Sequence, residues 1–271
     1  MASALPTTSL ELMTPSAISA RFTTLAAAGR KALVCYVTAG HPDSASSVTL
    51  IRGIASAGAD IIEIGVPFSD PLADGPVIQR SSQIAIEHGM TLDRTLALIA
   101  EANVDVPIVL FSYLNPILAG GPQVLARARA AGVHGVLVTD LPVGADAERE
   151  AWFGASGLDF VRLVAPTTPA ARMTEISRTG GGFVYLISRL GVTGERDTLA
   201  ADLPETVARL RGATTLPICI GFGISTPSQA ATAAQLGDGV IVGSAIVRAA
   251  ERSVDEAIAL TASLRAAIDA A

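Results

Sequence analysis

The sequence predicts a single (β/α)₈ TIM barrel preceded by an N-terminal extension. Short apolar runs rich in β-branched residues alternate with alanine-rich amphipathic stretches, a pattern typical of parallel strands covered by helices. Eight such runs occur in 271 residues, a length usual for one barrel of this kind. Because no linker or change in composition divides the chain, we expect one barrel domain over residues 16–271 and a loosely held extension over residues 1–15.

The eight runs define the predicted strands in chain order. They are Ala32–Val37, Asp60–Ile64, Ile108–Phe111, Gly135–Val138, Phe160–Val164, Phe183–Leu186, Ile218–Ile220 and Gly239–Val242. The amphipathic stretches predict helices over Ser44–Ser56, Gln79–Glu87, Leu92–Ala100, Pro122–Ala131, Pro169–Thr179, Leu203–Arg211, Pro227–Leu236 and Val254–Ile268. Most of these stretches begin near Ser, Thr, Asp or Pro, as helices usually do.

Composition excludes several classes of protein. The formal net charge is −6 and Lys31 is the only lysine, so the chain offers no basic surface for nucleic acid. Neither a secretory signal nor an apolar run of roughly 18 residues is present, and we therefore expect a cytoplasmic protein. Cys35 and Cys219 lie within apolar runs and are interpreted as small core residues.

Two connections from a strand to the next helix are unusually long, Gly65–Ile78 and Ile187–Asp202. In barrels of this class the active site lies at the C-terminal ends of the strands, where these two loops begin. The long loops are therefore the first places in which to look for functional residues.

Three glycine-bearing turns follow the last three predicted strands: residues 191–194, 221–225 and 243–246. Glycine allows the backbone to approach an anion closely, and the N-terminus of a helix favours negative charge. Any one of these turns alone is better explained as the end of a strand. Together the three turns predict a phosphate site formed by Gly194, Gly223, Gly243 and Ser244. Because Lys31 stands at the start of the first strand, a Schiff-base mechanism is disfavoured.

Glu63 is a carboxylic acid inside the otherwise apolar second strand. A buried carboxyl has a raised pKa and can move protons near neutral pH. The structural alternative is that Glu63 pairs with an arginine in the barrel interior. The three histidines lack the converging partners of a metal site, and we expect no metal.

The segment Glu63–Pro76 closely resembles the characteristic loop of tryptophan synthase α subunits. The resemblance continues through Tyr36–Pro42, Tyr113–Pro116, Leu137–Pro142, Tyr185–Gly194, Gly221–Ser225 and Gly243–Val247. It implies a lyase of tryptophan biosynthesis that splits indole-3-glycerol phosphate into indole and glyceraldehyde 3-phosphate without a cofactor of its own. It also implies a β-subunit partner carrying pyridoxal phosphate, in an α₂β₂ heterotetramer.

Site residues follow from the same resemblance at matching positions. It implies that Glu63 is the catalytic acid–base, that Asp74 faces the indole N–H as an ionised carboxylate, and that Tyr185 supports Glu63. Further implied roles are loop closure by Thr193, an indole pocket formed by Phe22 and Phe111, and a partner interface at Asp70. For Asp70 a simple turn before Pro71 explains the residue equally well.

Three other functions stay open at this point. Another barrel enzyme acting on an indole or sugar phosphate would share the phosphate site, but not the Glu63–Pro76 segment. A non-catalytic activating subunit would have no need of Glu63, Asp74 and Tyr185. A free-standing indole-3-glycerol phosphate lyase would retain all of these residues. His41 stands where the family more often has an acidic residue, and we interpret it as a loop variation.

Overall fold

Parallel β-strands form one sheet in the computed structural model, which describes residues 15–187, 202–221 and 223–271. Within these ranges the strands are β1 (Ala32–Thr38), β2 (Ile61–Gly65), β3 (Ile108–Ser112), β4 (Gly135–Val138), β5 (Asp159–Phe160), β6 (Arg162–Val164), β7 (Val184–Ile187), β8 (Ile218–Gly221) and β9 (Gly239–Val242). Residues 1–14 of the predicted extension lie outside the described residues.

The sheet closes into a barrel. Its strand order is β5-β4-β3-β2-β1-β9-β8-β7-β6, and only Val161 separates β5 from β6 along the chain. The Val161 N–H donates to the Val136 oxygen at 2.9 Å, so the chain still pairs with β4 at the point of division. β5 and β6 are therefore two parts of one barrel strand. The predicted (β/α)₈ barrel is confirmed, with the predicted strand Phe160–Val164 divided into two segments.

Alternate side chains of each strand lie on opposite sides of the barrel wall. Val34, Ile61 and Val109 belong to the apolar cluster inside the barrel. Cys35 and Ile62, each one residue further along, pack with helix residues in the larger cluster outside it. Cys35 and Cys219 are both buried and free, as expected of small core residues.

Helices surround the barrel. Those that the structure describes are α1 (Ala17–Ala27), α2 (Ser44–Ser56), α3 (Pro76–Glu87), α4 (Leu92–Ala102), α5 (Leu114–Ala119), α6 (Val124–Ala130), α7 (Ala147–Gly154), α8 (Ala170–Arg178), α9 (Leu203–Arg211), α10 (Pro227–Leu236), α11 (Ser244–Arg252) and α12 (Val254–Asp269). Helix α3 begins at Pro76, earlier than the predicted Gln79, because proline is well tolerated in the first turn of a helix. The loop after β2 is correspondingly shorter.

Helix α1, which the sequence analysis did not predict, covers the N-terminal opening of the barrel. Its buried residues Ile18, Phe22 and Leu25 join the interior cluster, at a spacing that places them on one helical face. The Ser16 hydroxyl caps the helix and donates to Oδ2 of Asp159, the first residue of β5, at 2.5 Å. Helix α1 therefore covers this end of the barrel interior.

Helix α12 is held against the same end of the barrel by a buried ion pair. Arg265 Nη1 donates to Asp60 Oδ2 at 2.8 Å, and the Leu33 N–H donates to that same oxygen at 2.9 Å. The pair therefore joins the last helix to the starts of β1 and β2. Among the described helices, none combines the length and the apolar character needed to cross a membrane.

Candidate active site

A cavity of about 250 Å³ opens at the C-terminal ends of the strands. Its wall brings together seven of the residues predicted from the sequence: Glu63, Asp74, Phe111, Tyr185, Gly223, Gly243 and Ser244. These residues come from distant parts of the chain, and the barrel places them together because all its strands point the same way.

Glu63 reaches this cavity from the middle of β2. The neighbouring Ile62 and Ile64 pack outside the barrel, so alternation directs Glu63 inward. The side chain is 1% exposed, and its Oε1 atom has no hydrogen-bond partner among the described residues. Burial raises the pKa of Glu63 to about 8. The alternative of an arginine partner finds no support in the described ranges, where the salt bridges leave Glu63 out.

Asp74 lies opposite, on the loop that joins β2 to α3. Burial raises the pKa of this carboxyl to about 6, and a hydrogen bond from the Tyr113 hydroxyl acts in the opposite direction. The distance from the Tyr113 oxygen to Asp74 Oδ2 is 3.1 Å. Two carboxyls with separated pKa values therefore face one cavity, which is the arrangement that acid–base catalysis requires.

Two tyrosines, Tyr36 and Tyr185, line the same cavity as Glu63. Tyr36 of β1 is the register partner of Glu63 on β2, and Tyr185 lies on β7. A Cβ atom on Gly65 would collide with the Tyr36 hydroxyl, and one on Gly221 would lie 2.6 Å from the Tyr185 hydroxyl. Burial raises the pKa of both tyrosines, so both act as neutral hydrogen-bonding groups.

The aromatic residues that line the cavity are not the predicted pair Phe22 and Phe111. Phe111 lines the cavity and contacts Tyr36 edge to face, with 5.3 Å between ring centroids. Phe22 does not line it: this residue lies on α1 and packs against Phe183 at 5.9 Å, at the closed end of the barrel. The expected position of Phe22 is thus corrected, and Tyr36 stands beside Phe111 instead.

The predicted phosphate turns meet at the far side of the cavity. Gly223 has a φ of +86°, a conformation that favours glycine, and Gly243 precedes α11 without any side-chain cap. The first hydrogen bond of that helix runs from the Val247 N–H to the Gly243 oxygen, leaving the earlier N–H groups outside the helical ladder. Such a helix start favours an anion. Gly194 and Thr193 lie outside the described residues.

Sequence reasoning gave no role to three residues that shape this site. Tyr36 occupies an inward position of β1, Tyr113 contacts Asp74 from the end of β3, and Arg248 lines the cavity from α11. Two of them carry a periodic signal in the sequence. Tyr36 follows the inward Val34 by two residues, and Arg248 follows Ser244 by four, which places it on the same helical face.

Asp70 lies outside the cavity, on the same loop as Asp74. Its side chain is exposed and accepts a hydrogen bond from the Ser69 hydroxyl at 2.6 Å. Leu72, two residues further on, is 88% exposed and is one of two large exposed apolar side chains among the described residues. This part of the loop presents an open surface.

Fold and site together define a (β/α)₈-barrel enzyme with acid–base chemistry and a place for an anionic substrate. The model of the family described as "Tryptophan synthase alpha chain" matches residues 22–270. The chain belongs to this family, and the predicted fold, lyase class and reaction are confirmed.

Individual relatives agree with the family model. The tryptophan synthase alpha chain of Geobacter sp. (strain M21) is 48% identical over 240 residues, covering 88% of this chain and 90% of that protein. That of Desulfatibacillum aliphaticivorans is 45% identical over 243 residues, with coverages of 89% and 92%. The crystal structure of subunit alpha from Legionella pneumophila str. Paris superposes with a TM-score of 0.87 at 33% identity, covering 95% of this chain and 100% of that one.

The raised pKa of Glu63 predicts a pH-dependent stability difference. A carboxyl with an ordinary pKa of 4.5 when unfolded and about 8 when folded favours folding fully below pH 4.5, and that contribution is lost as the pH rises through about 8. Glu63→Gln, which has no proton to lose, should therefore gain stability relative to the native chain as the pH rises. We expect a gain on the order of 4 kcal/mol between pH 5 and pH 9, measured by urea unfolding.

Glu87→Gln is the matched control, because Glu87 is exposed on α3. It should not reproduce the gain. A Glu63→Gln variant whose stability difference is the same at both pH values would contradict a buried carboxyl with a raised pKa.

Proposed function

We propose that Glu63 is the proton-transferring residue for the cleavage of indole-3-glycerol phosphate into indole and glyceraldehyde 3-phosphate, within one lyase domain over residues 16–271. One observation carries the proposal: a buried carboxyl, one oxygen of which has no partner among the described residues, faces a cavity whose far side favours an anion. A substrate phosphate bound at α11 would place the rest of the substrate between Glu63 and Asp74.

Bond cleavage needs two proton movements of opposite direction. Protonated Glu63 donates its proton to C3 of the indole ring, giving an indoleninium cation, and its carboxylate then accepts the proton of the C3′ hydroxyl. The oxygen electrons form the aldehyde carbonyl, the bond between C3 and C3′ breaks, and its electron pair neutralises the ring. Because Glu63 has a pKa of about 8, it is mostly protonated at neutral pH before the reaction.

Asp74 is proposed to stabilise the positive charge that develops at the indole nitrogen. With a pKa of about 6 it is mostly ionised at neutral pH, whereas Glu63 holds its proton. Between pH 6 and pH 8 the two carboxyls are therefore in the states that the reaction needs. An ionised carboxylate facing a growing cation lowers the energy of the transition state more than that of the substrate.

The other cavity residues are proposed to hold the substrate. Tyr185 supports Glu63 from β7, and Phe111 together with Tyr36 packs against the indole ring. Gly223, Gly243 and Ser244 bind the phosphate through backbone N–H groups. Gly194 and loop closure through Thr193 stay part of the proposal on the resemblance alone. Since two carboxyls divide the proton chemistry, the proposed mechanism on this chain uses neither a metal nor a cofactor.

Proteins of this family work with a β subunit. We propose an α₂β₂ assembly in the cytoplasm, with pyridoxal phosphate held by the β subunit and Asp70 at the contact between the subunits. The exposed Asp70 and Leu72 support this, because they lie on the loop that also carries Asp74. A partner bound there would reach the active site through a single loop.

Removal of the Glu63 proton should abolish turnover. We expect Glu63→Gln to lower kcat for indole release by about 10²–10⁴-fold, because an amide cannot donate and accept the proton. Asp74→Asn should also lower kcat strongly, since a neutral amide does not stabilise a cation as a carboxylate does. Indole release from indole-3-glycerol phosphate measures both. Near-native kcat in Glu63→Gln, with Glu87→Gln as control, would refute the assignment.

A negative charge at the start of α11 should weaken substrate binding. Ser244→Asp places a carboxylate beside the proposed phosphate position, and we expect KM to rise at least about tenfold with a smaller change in kcat. The matched control is Ser263→Asp, which adds the same charge to an exposed position of α12. Equal KM values for the two variants would place the phosphate elsewhere.

The partner is tested by adding the cognate β subunit to the indole-release assay. A partner that binds the active arrangement of the loop more tightly than the others raises kcat and shows saturable association. Asp70→Ala should weaken that association while leaving indole release by the isolated chain unchanged. If the native chain neither binds the β subunit nor is stimulated by it, a free-standing lyase is favoured.

A further inference from the structure

Tyr113 contacts Asp74 but has no part in the proton transfers proposed for Glu63. It is the last residue before α5, directly after β3, and its side chain is only 4% exposed. Its ring packs against Phe68, with 5.1 Å between centroids, and its hydroxyl reaches the loop between β2 and α3. Tyr113 thus connects the ends of two neighbouring strands.

The Tyr113 hydroxyl makes two hydrogen bonds of opposite sense. It accepts from the Ala73 N–H at 2.8 Å and faces Asp74 Oδ2 at 3.1 Å. A backbone N–H can only donate, so the single hydroxyl proton is directed to the Asp74 carboxylate. The hydroxyl therefore fixes both the backbone before Asp74 and the orientation of its side chain.

The other hydrogen bonds of this loop leave the carboxylate group untouched. The Asp74 N–H donates to the Pro71 oxygen at 3.1 Å, and Gln79 Nε2 donates to the Asp74 backbone oxygen at 2.9 Å. Both act on the main chain. Among the described residues, the Tyr113 hydroxyl is the one hydrogen-bond donor that the structure places on the carboxylate itself.

We propose that Tyr113 is a positioning residue: its hydroxyl aims the Asp74 carboxylate at the substrate and favours its ionised form. The inference rests on the proposed role of Asp74. It adds that the electrostatic partner of the indole nitrogen depends on a residue of another strand, which does not itself line the cavity.

Electrostatics reinforce the geometry. Burial raises the pKa of Asp74, and the hydrogen bond from Tyr113 lowers it. The ionisable groups that face the cavity with Asp74 are Tyr36 of β1, Glu63 of β2, Tyr185 of β7 and Arg248 of α11. The two tyrosines and Glu63 are neutral at pH 7, and Arg248 is not among the causes of the Asp74 pKa shift. Among the described residues, the hydrogen bond from Tyr113 is the cause that lowers the Asp74 pKa, so its loss should change that pKa most directly.

The test is Tyr113→Phe, which removes the hydroxyl and keeps the ring. A hydrogen bond to a charged group contributes enough to move the Asp74 titration upward by about one pH unit. We expect this shift in the acidic limb of the kcat profile and in a ¹³C NMR titration of the Asp74 carboxyl. At pH 6.5 this shift lowers the ionised fraction of Asp74, and kcat with it, by about threefold, with KM nearly unchanged.

Two further variants separate positioning from packing. Phe68→Leu alters the ring contact of Tyr113 but not the hydroxyl, and it should leave the Asp74 midpoint in place. In an Asp74→Asn background Tyr113→Phe should lower kcat no further, because the hydroxyl acts through the carboxylate. An unmoved Asp74 midpoint in Tyr113→Phe, or an additive loss in the Asp74→Asn background, overturns the inference.

Failure of the underlying proposal would be recognised separately. Full turnover by Asp74→Asn would refute the role of Asp74 in the reaction. The NMR titration needs no turnover, so it tests the role of Tyr113 independently. An upward shift of the Asp74 midpoint in Tyr113→Phe supports that role, and an unchanged midpoint refutes it.

Discussion

The burial of one carboxyl inside a barrel strand is the constraint on which the rest of this site depends. Burial removes water from Glu63, and no described residue donates a hydrogen bond to its Oε1 atom. The neutral form of the carboxyl is therefore favoured. Such a side chain is tolerated only where the surrounding fold is stable. Here α1 covers one end of the barrel and the Asp60–Arg265 pair holds α12 in place, while the cavity that Glu63 lines opens at the other end.

Two carboxyls with different surroundings account for the division of chemical labour. Glu63 lies on strand β2, where the described residues place no donor on its Oε1 atom, and it keeps its proton until substrate arrives. Asp74 lies on a loop, where the Tyr113 hydroxyl partly offsets the effect of burial. The barrel holds the proton donor fixed, while the loop that carries the charge also carries the exposed surface at Asp70. A partner bound at Asp70 would therefore act on Asp74 through the few loop residues between them.

Much of the fold was predictable because the barrel is encoded by a repeated pattern. Eight apolar runs marked the strands, and the carboxyl within the second run was recognisable without any structure. Helix α1 was not predicted, since its weak apolar face acquires meaning only against Phe183 across the barrel. Phe22 was assigned to the indole pocket from the resemblance alone, and it lies instead on α1 against Phe183. Tyr36 could have been found from its alternation with Val34. The Tyr113–Asp74 contact spans 39 residues, and no local pattern indicates it.

Glu63 stays protonated at neutral pH because it is buried, and the proposed proton transfer depends on that proton. A ¹³C NMR titration of the glutamate side-chain carboxyls, with Glu63 assigned from the signal missing in Glu63→Gln, measures this directly in the free enzyme. We expect a titration midpoint near 8 for Glu63. A midpoint close to the ordinary value of 4.5 would mean that the carboxyl is ionised at neutral pH, and it would contradict Glu63 as the proton donor.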